Sequence, residues 1–223
     1  GILEGKGSNN WVVPGSRTVS GKPLLANDPH LALSSPAIWY YAHLKAPAAE
    51  LPGGYKHPAL DVIGATLPGL PFVVLGRTTG VAWGFTNTGP DVQDLYLEQI
   101  NPANPAQYRV PAPDGQMAWA DFTTRVETIR VKGQPDVKHV VRSTRHGPVL
   151  SDAQKLHGEV VDTAKVVLSL RWTALDADNS NVLAGVLSNQ ARSVGDLIEA
   201  YRHFHSPMQN VVMADVSGRI AYK

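Results

Sequence analysis

The sequence contains no cysteine. That excludes disulfides, thiolate metal ligands and a cysteine nucleophile together. It has no apolar run of about 18 residues, the length a membrane-spanning helix requires. Its first residues lack the charged-then-apolar order of a signal peptide. No basic run exceeds two residues and the formal net charge is +1, so the basic patch a nucleic-acid partner would need is missing. There is no GxSxG elbow and no phosphate-binding loop, which removes the common serine hydrolase and nucleotide readings. The eight histidines are scattered. The nearest thing to a metal pattern, His203-Phe204-His205, falls across an expected helix end, whereas zinc takes three or four converging ligands.

What is present is apolar material and turn residues. Hydrophobic residues make up 43% of the 223 positions and charged residues 17%. That supports a packed core in one large domain or two small ones and excludes global disorder. Twenty glycines and 17 prolines are spread along the chain, a pattern of short strands joined by turns. Strands are expected over 10–13, 19–26, 37–44, 60–65, 72–76, 80–86 and 94–99. Residues 122–131 alternate cleanly, and with 138–142 they read as a hairpin across Gly133-Gln134-Pro135-Asp136. A further strand is expected over 165–170. Helices come late. Residues 181–189 carry Val182, Val186 and Leu187 at helical spacing. Residues 193–204 start with Ser193 and Asp196 as a capping box and continue with the stripe Val194, Leu197, Ile198, Tyr201. Strands return over 210–215 and 219–222, around a tight turn at Ser217-Gly218. The fold class is α+β, mostly antiparallel strands with two helices inserted late.

One local feature suggests chemistry. Ser8 stands between a Gly-rich stretch, 1–7, read as a flexible leader, and the first strand. Cleavage between Gly7 and Ser8 would leave a serine whose own α-amine is the nearest base. A free α-amine titrates near pH ~7.7–8.0, so part of it is neutral at physiological pH. It can take the hydroxyl proton, which is the logic of an N-terminal nucleophile.

Six blocks in order then resemble the penicillin acylase family. They are Ser8-Asn9-Asn10-Trp11-Val12-Val13, Leu24-Leu25-Ala26-Asn27-Asp28-Pro29-His30, and Gly64-Ala65-Thr66-Leu67-Pro68-Gly69-Leu70-Pro71. Gly80-Val81-Ala82-Trp83-Gly84-Phe85-Thr86-Asn87, Arg145-His146-Gly147-Pro148-Val149, and Pro207-Met208-Gln209-Asn210 with Ala214-Asp215 complete the set. The resemblance runs from Ser8 to Tyr222. It implies a four-layer αββα sandwich and an amidohydrolase that processes itself between Gly7 and Ser8. Residues 1–7 would be the end of a spacer, and 8–223 the N-terminal part of the β chain, truncated.

The resemblance also implies roles. Ser8 matches the nucleophile. The backbone N–H of Asn87 and the side-chain amide of Asn210 match the two oxyanion donors. His30 matches a position that is His in cephalosporin and acyl-homoserine-lactone acylases and Gln in penicillin G acylase, which leans the resemblance away from penicillin G. Asp91 and Asp94 match an acidic pair that contributes to a structural calcium site; no organic cofactor is implied. Leu31, Trp39, Phe72 and Trp83 are the candidates for the acyl pocket. The implied partners are the α chain of the same precursor, the remainder of the β chain, and a small N-acyl amide, an acyl-homoserine lactone or a β-lactam side chain. The implied location is the bacterial periplasm or the exterior. Two features depart from the pattern. The leader is still attached to Ser8, and the sequence lacks the later Arg that orients the oxyanion Asn in the family. An uncleaved, non-catalytic binding or scaffold domain of the same fold is therefore the alternative expectation.

Overall fold

Strands dominate because turn residues recur every few positions and leave little room for helix. The computed structural model describes residues 7–31, 33–153 and 155–223. The chain divides into two units: residues up to Pro90 with Asp178–Lys223, and Asp91–Ala177. The first unit opens with β1 (Gly7–Val13), β2 (Leu24–His30), β3 (Tyr40–Ala46), β4 (Ala49–Leu51), β5 (Tyr55–His57), β6 (Leu60–Thr66), β7 (Leu75–Thr78) and β8 (Val81–Asn87). The second unit holds β9 (Gln93–Asn101), β10 (Asn104–Pro111), β11 (Met117–Asp121), β12 (Thr123–Ile129), β13 (Val137–Thr144), β14 (Gly147–Pro148) and β15 (Val166–Trp172). The chain then returns to the first unit with α1 (Asn181–Gln190), α2 (Val194–Ala200), β16 (Gln209–Asp215) and β17 (Ile220–Tyr222).

In the first unit, β17-β16-β8-β7-β6-β3 form one six-stranded antiparallel sheet, with β1-β2 and β4-β5 as separate hairpins. Its core joins Val62, Val73, Val81, Trp83, Val211 and Met213 of the sheet and its β6–β7 connection to Ala184, Val194, Leu197 and Tyr201 of the helical layer. The second unit has a four-stranded sheet, β11-β10-β9-β15, and a three-stranded one, β12-β13-β14. Its smaller core is Tyr108, Phe122, Val149 and Val167. The reading of mostly antiparallel strands, with few helices and those late in the chain, stands. The hairpin expected around 133–136 is β12–β13, in continuous register from Thr123↔Ser143 to Ile129↔Val137.

Several expectations shift. Six of the seven leader residues lie outside the described residues, but Gly7 is already the first residue of β1, paired with His30. The strand expected from Val19 starts only at Leu24, because Gly15–Arg17 forms a 3-10 turn and Gly21 takes a left-handed φ of 68°. The helix expected over 193–204 has its capping box, with Ser193 Oγ accepting from the Asp196 amide at 3.2 Å. It stops being α-helical at Ala200 and tightens into a 3-10 turn, Tyr201–His203. On α1 the expected apolar stripe is not the buried face: Val182 and Val186 are exposed, while Ala184, Ser188 and Asn189 are buried. Close approach explains it, since a Cβ on Gly185 would stand 2.3 Å from the Phe72 ring. The strands β10 and β11 carried no expectation.

Candidate active site

Strand β8 sets the layout, because its side chains alternate between the two faces of the sheet. Val81 and Trp83 share the core with Val194, Leu197 and Tyr201 of the helical layer. Phe85 follows them, edge-on to Tyr201 with ring centroids 5.4 Å apart. Gly84 and Thr86 face the other way, toward the β1–β2 hairpin. Gly84 allows that hairpin to approach, since a Cβ there would fall 2.6 Å from the Asn27 Cβ.

Amide side chains then fasten the hairpin. Asn27 accepts from the Phe85 amide at 3.0 Å and donates to the Phe85 carbonyl at 2.7 Å, much as an added strand residue would. It also donates to the Asn9 carbonyl at 3.2 Å. Asn10 Nδ2 donates to the Asn210 carbonyl at 3.1 Å and to the Gly84 carbonyl at 3.4 Å. These bonds tie the strand that carries Ser8 to both β8 and β16. Asparagine is depleted in strands; Asn10 and Asn27 inside strand-like runs were the signal that sequence reading passed over.

Ser8, across the hairpin from Pro29, borders a cavity of about 440 Å³. Asn87 and Gln209, paired across β8 and β16, lie on the same wall. The rest of the wall is largely apolar and aromatic, including Leu31, Trp39, Phe72, Phe85, Tyr201 and Phe204. The Ser8 hydroxyl makes no hydrogen bond among the described residues. The Asn87 carboxamide oxygen accepts from the Gly89 amide at 3.0 Å and from Gln209 Nε2 at 3.4 Å, which fixes the end of β8.

Other expected site residues fall elsewhere. Trp83 does not reach the cavity: it is 1% exposed, packed in the core, and its indole donates to the Val74 carbonyl at 2.7 Å. Asn210 pairs with Thr86 on the hairpin face and does not line the cavity. Its Nδ2 donates to Thr86 Oγ1 at 3.1 Å, and its Oδ1 accepts from the Tyr222 hydroxyl. That pair of bonds fixes the amide orientation and leaves one N–H of Nδ2 to donate. His30 pairs with Gly7 across the hairpin and sits 3.5 Å from Asp28 Oδ2, largely solvated and off the cavity wall.

A family model for penicillin amidase matches residues 2–223. The chain belongs to the penicillin amidase family. It is 33% identical over 211 residues to the acyl-homoserine lactone acylase QuiP of Pseudomonas aeruginosa, covering 93% of this chain and 23% of that protein. It is 31% identical over 224 residues to the penicillin acylase 2 proenzyme of Pseudomonas sp. (strain SE83), covering 98% of this chain and 25% of that protein. Among solved structures, the thermostable penicillin G acylase from Alcaligenes faecalis matches with a TM-score of 0.70 at 26% identity, over 96% of this chain and 34% of that one. The chain thus spans about a quarter of the length of the curated relatives it matches. In this penicillin amidase family member, Asp91 and Asp94 lie in the second unit, Asp94 on β9 opposite Arg171 and both exposed. No group of three or more His, Cys, Asp or Glu that could hold a metal ion occurs among the described residues. Two exposed carboxylates fall short of the six to eight oxygens calcium takes. No helix among the described residues is long and apolar enough to cross a membrane.

Proposed function

We propose that the parent protein is a self-processing amidohydrolase in which Ser8 attacks the carbonyl of an N-acyl amide. The observation that carries the reading is Ser8 at the edge of an apolar cavity, with the end of β8 on the same wall. Cleavage between Gly7 and Ser8 frees the α-amine. That amine takes the hydroxyl proton as Oγ bonds to the carbonyl carbon. The backbone N–H of Asn87 and the remaining Nδ2 hydrogen of Asn210 are the donors proposed for the developing oxyanion. As the C–N bond breaks, the α-amine returns the proton to the departing amine. Water, deprotonated by the same amine, then releases the acyl group from Ser8 as a carboxylic acid.

The acyl group occupies the cavity, so N-acyl homoserine lactones and β-lactams with apolar side chains are the substrate classes to screen. In this reading residues 8–223 are the start of a β chain that works with an α chain and further β-chain residues in a four-layer αββα sandwich. The protein works in the periplasm or outside the cell. A calcium ion beside Asp91 and Asp94 would draw its other oxygen ligands from outside the described residues, and no step depends on it.

The test is the intact mass of the full-length precursor. A chain beginning at Ser8, with both maturation and amide hydrolysis lost in Ser8→Ala, is the expected result; hydrolysis should drop by at least about three orders of magnitude. A precursor that stays whole, or a Ser8→Ala precursor that still splits there, sinks the proposal and moves the binding-domain alternative ahead. Gly7 in ladder register with His30 is the observation that favours that alternative.

A further inference from the structure

Pro29 decides how the bond between Gly7 and Ser8 is held. Antiparallel partners alternate between pairs that exchange hydrogen bonds and pairs that exchange none. Ser8 stands opposite Pro29, and proline has no N–H to give. Ser8↔Pro29 is therefore a pair of the second kind, and the bonds fall on its neighbours, Gly7↔His30 and Asn9↔Asp28. In the first of these, the main-chain N–H of His30 donates to the Gly7 carbonyl. The side chain of Asn27 agrees with this phase. Its Nδ2 reaches the Asn9 carbonyl at 3.2 Å, so that carbonyl turns toward β2.

The same phase turns the Ser8 amide nitrogen away from β2. That edge of β1 pairs with no further strand among the described residues. The bond to be cut thus has its oxygen on a donor and its nitrogen on an open edge.

Both suit the proposed self-processing. Ser8 Oγ bonds to the Gly7 carbonyl carbon, and the carbonyl oxygen takes up negative charge. As the C–N bond breaks, the Ser8 nitrogen takes the proton that Oγ gave up. Gly7 is left as an ester on Ser8 Oγ. Water then hydrolyses that ester to the Gly7 carboxylate, a free Ser8 hydroxyl and a free α-amine. A hydrogen bond to an oxyanion is about twice as strong as one to a neutral carbonyl. The His30 N–H therefore holds the transition state more tightly than the uncut peptide. The nitrogen departs without breaking a ladder bond.

We infer that the main-chain N–H of His30 is an oxyanion donor for the cut between Gly7 and Ser8. It is separate from the donors on Asn87 and Asn210 proposed for the substrate. His30 acts here through its backbone; its side chain is largely solvated. The pairing that would keep an uncleaved leader in place also aims a donor at its last carbonyl. The inference rests on the proposed function for the cut itself.

The test replaces single amides by esters in the whole precursor, made by cell-free synthesis with α-hydroxy acids, and follows intact mass over time. An ester between Pro29 and His30 removes the donor. An ester between Asn10 and Trp11 removes the Trp11 N–H, which bonds the Ala26 carbonyl in the same ladder. Cleavage at least about tenfold slower is expected for the His30 ester, and within about threefold of wild type for the Trp11 ester. Thermal melts of both esters on the Ser8→Ala background should agree with each other. A His30 ester cut at the wild-type rate, two esters slowed alike, or a slowing matched by an equal loss of stability overturns the inference and leaves self-processing standing. A wild-type precursor that never splits sinks both.

Discussion

The two units bury polar side chains on different terms. In the second unit, Glu98 is 4% exposed but receives His146 Nδ1 at 2.6 Å and Ser169 Oγ at 3.4 Å. The His146 ring is in turn stacked on Tyr96 at 3.7 Å. Asn101, also buried, donates to Gln107 at 2.9 Å and accepts from the Ala103 amide at 3.0 Å. The first unit satisfies its polar groups as fully in the sheet core. Thr78 Oγ1 donates to the Ala191 carbonyl at 2.9 Å and accepts from the Val81 amide at 3.2 Å. Two side chains of the cavity wall, Trp39 and Tyr201, each keep a polar atom buried without a partner among the described residues. His157 Nδ1 is the remaining such atom among the described residues and lines no part of that cavity. The contrast separates a packed scaffold from a candidate site: paired polar groups close the cores of both units, and the first unit adds the apolar cavity that Ser8 borders.

The largest effect should come from the contact that brings the strand carrying Ser8 to the cavity. Gly84→Val puts a branched side chain where even a Cβ lies 2.6 Å from Asn27. The hairpin has to lift off β8, breaking both bonds between Asn27 and Phe85. A loss of about 3 kcal/mol is expected, together with failure of the precursor to mature, read by thermal melting and intact mass. Normal maturation in Gly84→Val would break the comparison, because the hairpin would then be shown not to depend on this contact.

A middle-sized effect should come from Asp215, where the first unit uses a carboxylate as fastener. Burial acts to raise its pKa. The Ser217 hydroxyl and the amides of Val194, Arg219 and Ser217 outweigh that and hold the carboxyl below its ordinary value. The Val194 amide is bonded at 3.0 Å, joining the end of β16 to the start of α2. A folded-state pKa below the unfolded one means stability that is fully present above about pH 4, the unfolded value. It is lost as pH falls through the lower folded value. Asp215→Asn should therefore cost about 2 kcal/mol at neutral pH, with the gap to wild type closing in acid. Denaturant melts at pH 7 and near pH 3 measure both. A gap that stays constant with pH would mean the charge contributes nothing.

How much of this was legible in the sequence depended on which physical signal carried it. Period-two alternation gave the β12–β13 hairpin, and the Ser193/Asp196 pair gave the start of α2, because both are local. Leu31, Trp39 and Phe72 were picked as apolar groups near the site, and the structure puts them on one wall. Trp83, picked on the same grounds, went to the core: it shares its face of β8 with Phe85, but only the end of the strand, at Phe85 and Asn87, reaches the cavity. The buried face of α1 was invisible to a hydrophobic pattern because it is made of Ala184, Ser188 and Asn189, with Gly185 beside them letting the Phe72 ring approach and Asn189 bonding Val73. Fastening by Asn10, Asn27 and Tyr222 joins positions 74, 58 and 12 residues apart, and no window along the chain contains the longer two.

The smallest effect should lie on β12 of the second unit. Val126 is 55% exposed and faces Val140, itself 49% exposed, across the ladder. Threonine keeps the β-branched shape and its strand preference. Little apolar surface is removed from water at this pair, so Val126→Thr should change stability by less than about 0.5 kcal/mol. The expected melt overlays that of wild type in this chain. The same substitution in the whole protein sharpens the comparison. A loss above about 1 kcal/mol there would mean that residues outside this chain cover this face, so that Val126 and Val140 belong to an interface. An unchanged melt in both would leave β12–β13 as a solvated ladder, held by its backbone pairing and its cross-strand contacts and not by burial.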